Sequence, residues 1–180
     1  MQKAGQSVVK ECRNVRIIGI DPGYAIVGFG IVDYIGGKFT VLDYSAITTD
    51  KDTPFPQRLC EIYDDYCHIL DTSKPDALSI ERLYFTNNQK TGIDVAQARG
   101  IIMMAAQQRN IEINEYTPLQ VKQAVVGYGQ AVKKQVQEMT RKILKLKTIP
   151  KPDDTADALA MTICHGQSSG SLIRNLKTNI

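Results

Sequence analysis

Two short apolar runs, far apart in the chain, each close on a carboxylate. Arg16 to Asp21, RIIGID, ends on an acid and is followed at once by Pro22-Gly23, the signal of a strand running into a turn. Asp76 to Glu81, DALSIE, follows the breaker Lys74-Pro75 and also ends on an acid, with the partial alternation of a strand. Asp21 and Glu81 are therefore expected at the carboxyl ends of buried strands. If those strands are parallel neighbours, the two carboxylates lie side by side.

A second acidic pair lies in Lys151 to Gly166, KPDDTADALAMTICHG. Pro150 and Pro152 disfavour a helix before them, and the run after Asp153 reads as a helix start. Asp154 and Asp157, three residues apart, then share one helical face. Taken alone they suit a helix N-terminus, where an acid caps free N–H groups and opposes the dipole. Taken with Asp21 and Glu81 they admit a second reading. Four carboxylates that converge repel one another and need cations, and oxygen-only donors select hard divalent ions such as Mg²⁺ or Mn²⁺.

A chain of 180 residues, 43% apolar and 23% charged, is expected to form one soluble domain with a substantial core. No apolar run approaches the ~20 residues of a membrane span and no signal-peptide core opens the chain, so a cytoplasmic location is expected. Cys12, Cys60, Cys67 and Cys164 lack CxxC spacing, which favours reduced thiols over disulfides or zinc. The pairs Cys67-His68 and Cys164-His165 do not change this, because adjacent side chains on a helix diverge by about 100°.

The distribution of charge says more than its net value of +3. Between Pro118 and Lys151 stand Lys122, Lys133, Lys134, Arg141, Lys142, Lys145, Lys147 and Lys151 against Glu138 alone, a net +7 that leaves −4 elsewhere. A solvated helix would account for such lysines; so would a polyanion-binding face beside an acidic centre.

In chain order, residues 1–15 form a polar extension expected to be disordered. Ile26 to Tyr34 and Lys38 to Ala46 read as strands joined by a turn at Ile35-Gly36-Gly37, completing an antiparallel meander. Gln57 to Thr72 is an amphipathic helix whose Leu59, Ile62, Tyr63, Tyr66, Ile69 and Leu70 face the core. In the loop from Arg82 to Lys90, Tyr84 and Phe85 are either buried or free to meet an unstacked base. Gly92 to Arg109 reads as a long helix whose Ala96, Ala98, Gly100, Ala105 and Ala106 permit close packing, either on the sheet or on another helix. Ile111 to Tyr116 is a fifth strand, and Pro118 to Val126 a short helix capped by Thr117. Gly127-Tyr128-Gly129 breaks that helix, Lys133 to Leu146 resumes it, and residues 167–180 are expected to form a flexible tail.

Five segments in one order, GIDPG at Gly19 to Gly23, SIERLYFTNN at Ser79 to Asn88, QARG at Gln97 to Gly100, VKQAVVGYG at Val121 to Gly129 and DDTADALA at Asp153 to Ala160, resemble the RuvC family of bacterial Holliday junction resolvases. The resemblance spans residues 16–166. It implies an α/β, ribonuclease-H-like domain with a five-stranded mixed sheet, and a homodimeric, Mg²⁺-dependent endonuclease. It places the metal-binding acids at Asp21, Glu81, Asp154 and Asp157, although some relatives carry histidine at the position of Asp154. It also points to Tyr84 as the aromatic that meets the junction, to Lys122 and Lys133 as phosphate contacts with Lys134 able to substitute for its neighbour, and to the long helix as the dimer contact. Kinship adds a branch-migration complex of the RuvA and RuvB type as a possible partner.

The chemistry so implied is phosphodiester hydrolysis with two Mg²⁺ ~3.5 to 4 Å apart, leaving 5′-phosphate and 3′-hydroxyl ends. No Ser-His or Cys-His pairing competes as a nucleophilic centre. Three other readings stay open: a ribonuclease-H-type enzyme on another nucleic acid, a non-catalytic junction-binding protein, and an actin-like ATPase, for which 180 residues leave little room.

Overall fold

The computed structural model describes residues 14–83 and 89–175. Strands β1 (Val15–Asp21), β2 (Ile26–Ile35), β3 (Lys38–Thr48), β4 (Ala77–Glu81) and β5 (Glu112–Tyr116) form one sheet in the order β3-β2-β1-β4-β5. The first three strands pair antiparallel, while β1 with β4 and β4 with β5 run parallel. Ile35 pairs with Lys38 across a two-residue turn, and both turn residues, Gly36 and Gly37, adopt positive φ, the conformation that a tight hairpin needs there.

Helices α1 (Phe55–Ser73) and α2 (Gln89–Gln108) cover one face of the sheet, and α3 (Pro118–Val126), α4 (Lys133–Ile143) and α5 (Asp153–Asn175) the other. Strand periodicity assigns side chains to these faces. Ile18, Ile20, Val27, Phe29, Leu78 and Ile80 pack towards α1 and α2, against Ile62, Tyr66, Leu70 and Ile102. Ile17 and Val32 turn the other way, to Leu159 and Ile163 of α5. By the same alternation Gly19 and Asp21 of β1, Gly28 and Gly30 of β2, and Ser79 and Glu81 of β4 belong to the α5 face.

Those glycines are why α5 lies so close to the sheet. A Cβ on Gly28 would stand 2.1 Å from the carbonyl oxygen of Asp154, and one on Gly19 2.1 Å from that of Ala158. Ser79 Oγ donates to the carbonyl of Met161 at 2.7 Å, tying α5 to β4 as well.

The elements differ from expectation mainly at the ends. Val15, assigned to the disordered extension, is the first residue of β1; residues 1–13 and Tyr84 lie outside the described residues. α5 continues through Gly166 to Asn175, across part of the segment expected to be a loose tail. Its serines bond back along the helix, Ser168 Oγ to Cys164 O at 2.8 Å and Ser169 Oγ to Gly166 O at 3.1 Å, so polar composition there does not end it. α4 stops at Ile143, short of Leu146, where Lys145 takes positive φ. α3 follows the expectation, with reciprocal bonds between Thr117 and Gln120 at its start.

Of the small residues on α2, Ala98, Ala105 and Ala106 are fully buried in the core against α1 and the sheet, so they do not face outward to another helix. His165, also buried, is within hydrogen-bonding distance of the Tyr116 hydroxyl at 2.9 Å, and Cys60, Cys67 and Cys164 are free thiols. Among the described residues no helix is long and apolar enough to cross a membrane.

Gly28→Ala is expected to force the first turn of α5 off β2 and to cost about 2 to 3 kcal/mol, the usual range for overpacking, read by urea denaturation. A variant as stable as the original would mean that the helix does not depend on this contact.

Candidate nuclease site

The site is assembled from three elements. β1 and β4 run side by side in parallel, with Ile20 opposite Ile80, so Asp21 and Glu81, the next residues of each, emerge together at the same end of the sheet. The first turns of α5 bring Asp154 and Asp157 over that end. All four side chains are half-buried.

Their charges act on one another. Burial first, then the charges of Asp157, Glu81 and Asp154, push the Asp21 carboxyl up from its ordinary 3.8 to about 8. Glu81 is raised by burial and by Asp157. Asp157 is raised by burial, against the pull of a lysine. That lysine is Lys133, whose Nζ is 2.8 Å from Asp157 Oδ2 and 3.9 Å from Asp153 Oδ2. It opposes the upward shifts of both Asp21 and Glu81. One ammonium thus partly neutralises a pocket built from four acids.

The donor set suits a hard divalent cation: it is all oxygen, carries excess negative charge and lies at the end of a rigid sheet. Among the described residues, however, no three His, Cys, Asp or Glu side chains stand gathered as a finished metal cage. The acids are neighbours in charge, with a lysine drawn in among them.

Sequence reasoning missed several supporting residues. Arg99, within the QARG segment, donates from Nε to the backbone carbonyl of Glu81 at 3.1 Å and is ion-paired with Glu115, which pins the end of β4. The pairing of Lys133 with Asp157 has no signature in linear spacing. The alternate glycines Gly28 and Gly30 were a readable signal of close backbone approach. Of the lysines expected to meet phosphate, Lys133 lies at the acids, Lys122 is half-buried on α3, and Lys134 is exposed on α4. Lys134 lines a cavity of about 640 Å³ with Val126, Tyr128, Met139 and Lys142.

A mixed sheet in this order, with acids at the ends of its two central parallel strands and on the last helix, defines a ribonuclease-H-like protein. The yeast mitochondrial Holliday junction resolvase Ydc2 shares the fold at a TM-score of 0.63 and 16% identity, over 90% of this chain and 84% of that one. Within this class the chain belongs to the RuvC family. The family model for crossover junction endodeoxyribonuclease RuvC matches residues 17–165. The crossover junction endodeoxyribonuclease RuvC of Ruminiclostridium cellulolyticum is 54% identical over 161 residues, covering 88% of this chain and 97% of that protein. The structure of Thermus thermophilus RuvC in complex with Holliday junction substrate matches with a TM-score of 0.82 and 33% identity, over 86% of this chain and 94% of that one.

The raised pKa of Asp21 has a consequence for stability without metal. The folded protein holds a proton there that the unfolded chain releases near pH 4, so this contribution is complete below about 4 and is lost as pH rises through about 8. Asp21→Asn is therefore expected to stabilise the metal-free fold above pH 8, by on the order of 2 kcal/mol, with little effect at a pH just below 4, where both states hold the proton. Thermal melts in chelator at the two pH values check this; equal gains at both would mean that ionisation of the buried Asp21 carboxyl is not the cause.

Proposed function

We propose that this protein resolves four-way DNA junctions by paired nicks, hydrolysing phosphodiester bonds at a centre formed by Asp21, Glu81, Asp154 and Asp157. The observation that carries the proposal is the shared pocket at the ends of β1 and β4, in which burial and the other three acids together raise Asp21. Membership of the RuvC family supports the reading, as does likeness to a relative solved with Holliday junction substrate.

The four carboxylates would hold Mg²⁺, with Mn²⁺ as a substitute, and when bound the two ions supply an activated water and charge stabilisation for the departing 3′ oxygen. The chain's own work is positional. The sheet ends fix Asp21 and Glu81, and α5 carries the other two acids as one rigid unit. Lys133 places a positive charge beside Asp157, where a scissile phosphate could meet it. Lys122 and Lys134 extend positive charge along α3 and α4, and Tyr84 is assigned to the junction's unstacked bases.

Two such centres on a two-fold dimer would reach strands of like polarity. Ile93, Gly100 and Met104 support a dimer surface on α2: all three are exposed, and Ile93 and Met104 remain 52% and 48% accessible despite their apolar character. A complex of the RuvA and RuvB type remains the further partner that kinship implies.

Titrating Mg²⁺ into four-way junction, linear duplex and RNA–DNA hybrid separates the readings. The junction alone should be nicked, in symmetric pairs with 5′-phosphate ends; equal cleavage of the hybrid would favour a ribonuclease-H activity, and binding without cleavage a junction-binding protein. Asp21→Asn should lower cleavage by about 10³-fold or more while junction affinity changes only a few-fold. Lys122→Ala should reduce the salt dependence of junction binding by about one unit of slope; an unchanged slope would remove Lys122 from the DNA face.

A further inference from the structure

We infer that Asp153 is a positioning residue: it offers the Lys133 ammonium a second seat, so that the lysine covers the acid pocket when it is metal-free and steps aside onto Asp153 when a divalent cation claims Asp157. The inference rests on the metal-binding reading of the four acids and extends it to a residue outside that set.

The geometry is specific. Lys133 Nζ sits 2.8 Å from Asp157 Oδ2 and 3.9 Å from Asp153 Oδ2. Lys151 Nζ holds the other Asp153 oxygen, Oδ1, at 2.7 Å. With Oδ1 engaged, Oδ2 is the oxygen left towards Lys133, and a shift of roughly 1 Å would turn the longer contact into a direct one. Lys133 can make that move, because its side chain is 57% exposed and sits at the first position of α4.

Asp153 is also the right acid for the task. Its charge acts on both Lys133 and Asp157, and its Oδ2 is the next carboxylate oxygen from the ammonium after that of Asp157. It stands at the start of α5, one residue before Asp154, within reach of the ammonium and outside the four acids assigned to the cation. A lysine that had nowhere to go would oppose the cation with its full charge; one with an adjacent carboxylate keeps its ion pair and opposes it less.

The test is Mn²⁺ binding to the full chain, read from the electron paramagnetic resonance of free Mn²⁺ and independent of cleavage. Lys133→Gln should tighten binding, and Asp153→Asn should weaken it by about 1.5-fold to fivefold, the range of an exposed ion pair. In the double variant Asp153→Asn should have no further effect, because the lysine it serves is gone. If it weakens binding equally in the Lys133→Gln background, Asp153 acts only as a distant charge and the inference falls, while the metal reading stands. If the unaltered chain binds no Mn²⁺, both fall. Asp153→Ser, which also suits a helix start, repeats the measurement should Asn loosen α5.

Discussion

The close seating of α5 on β1 and β2 is the constraint on which the rest depends. Helix backbone meets strand backbone at Gly19 and Gly28, with no room for even a methyl group. This contact carries Asp154 and Asp157 to the end of β1, where Asp21 and the neighbouring Glu81 already project. A wider gap would lessen the burial and the repulsion that together lift Asp21, and it would also dissolve the site. The glycines thus hold together charges that would separate if left to themselves.

That arrangement explains why so much rigid structure surrounds so small a centre. Like charges stay close only where the scaffold overrules them, and here the scaffold is a central parallel pair of strands, a buried helix anchored through Ser79 to Met161, and an arginine on α2 bonded to the backbone at Glu81. Lys133 lowers the cost from the opposite side. It comes from the basic stretch between α3 and α5, so the segment that would meet a polyanion also supplies the cation nearest the acids.

Much of the fold could be read in advance because it rests on local pattern. Apolar alternation located β1 and β4, the Gly36-Gly37 turn set the first hairpin, and Pro118 after Thr117 opened α3. Expectations failed where composition stood in for pairing. Serines beyond Gly166 looked like loose chain but close hydrogen bonds within α5. The small residues on α2 left open whether sheet or helix covers them, and Ala98, Ala105 and Ala106 face the core; helix spacing names a stripe without saying what covers it.

By itself the sequence determined which residue types could do the chemistry and on which elements they would ride. It placed acids at strand ends, two more on a helix start, and lysines in a block downstream. Tertiary structure alone decided which face each strand turned to α5, how closely the helix could approach, and that Lys133 rather than another lysine would bridge towards Asp157. The physical reason is range. Propensity and periodicity act over a few residues, whereas repulsion among carboxylates and the fit of helix to strand depend on separations in space between residues remote along the chain.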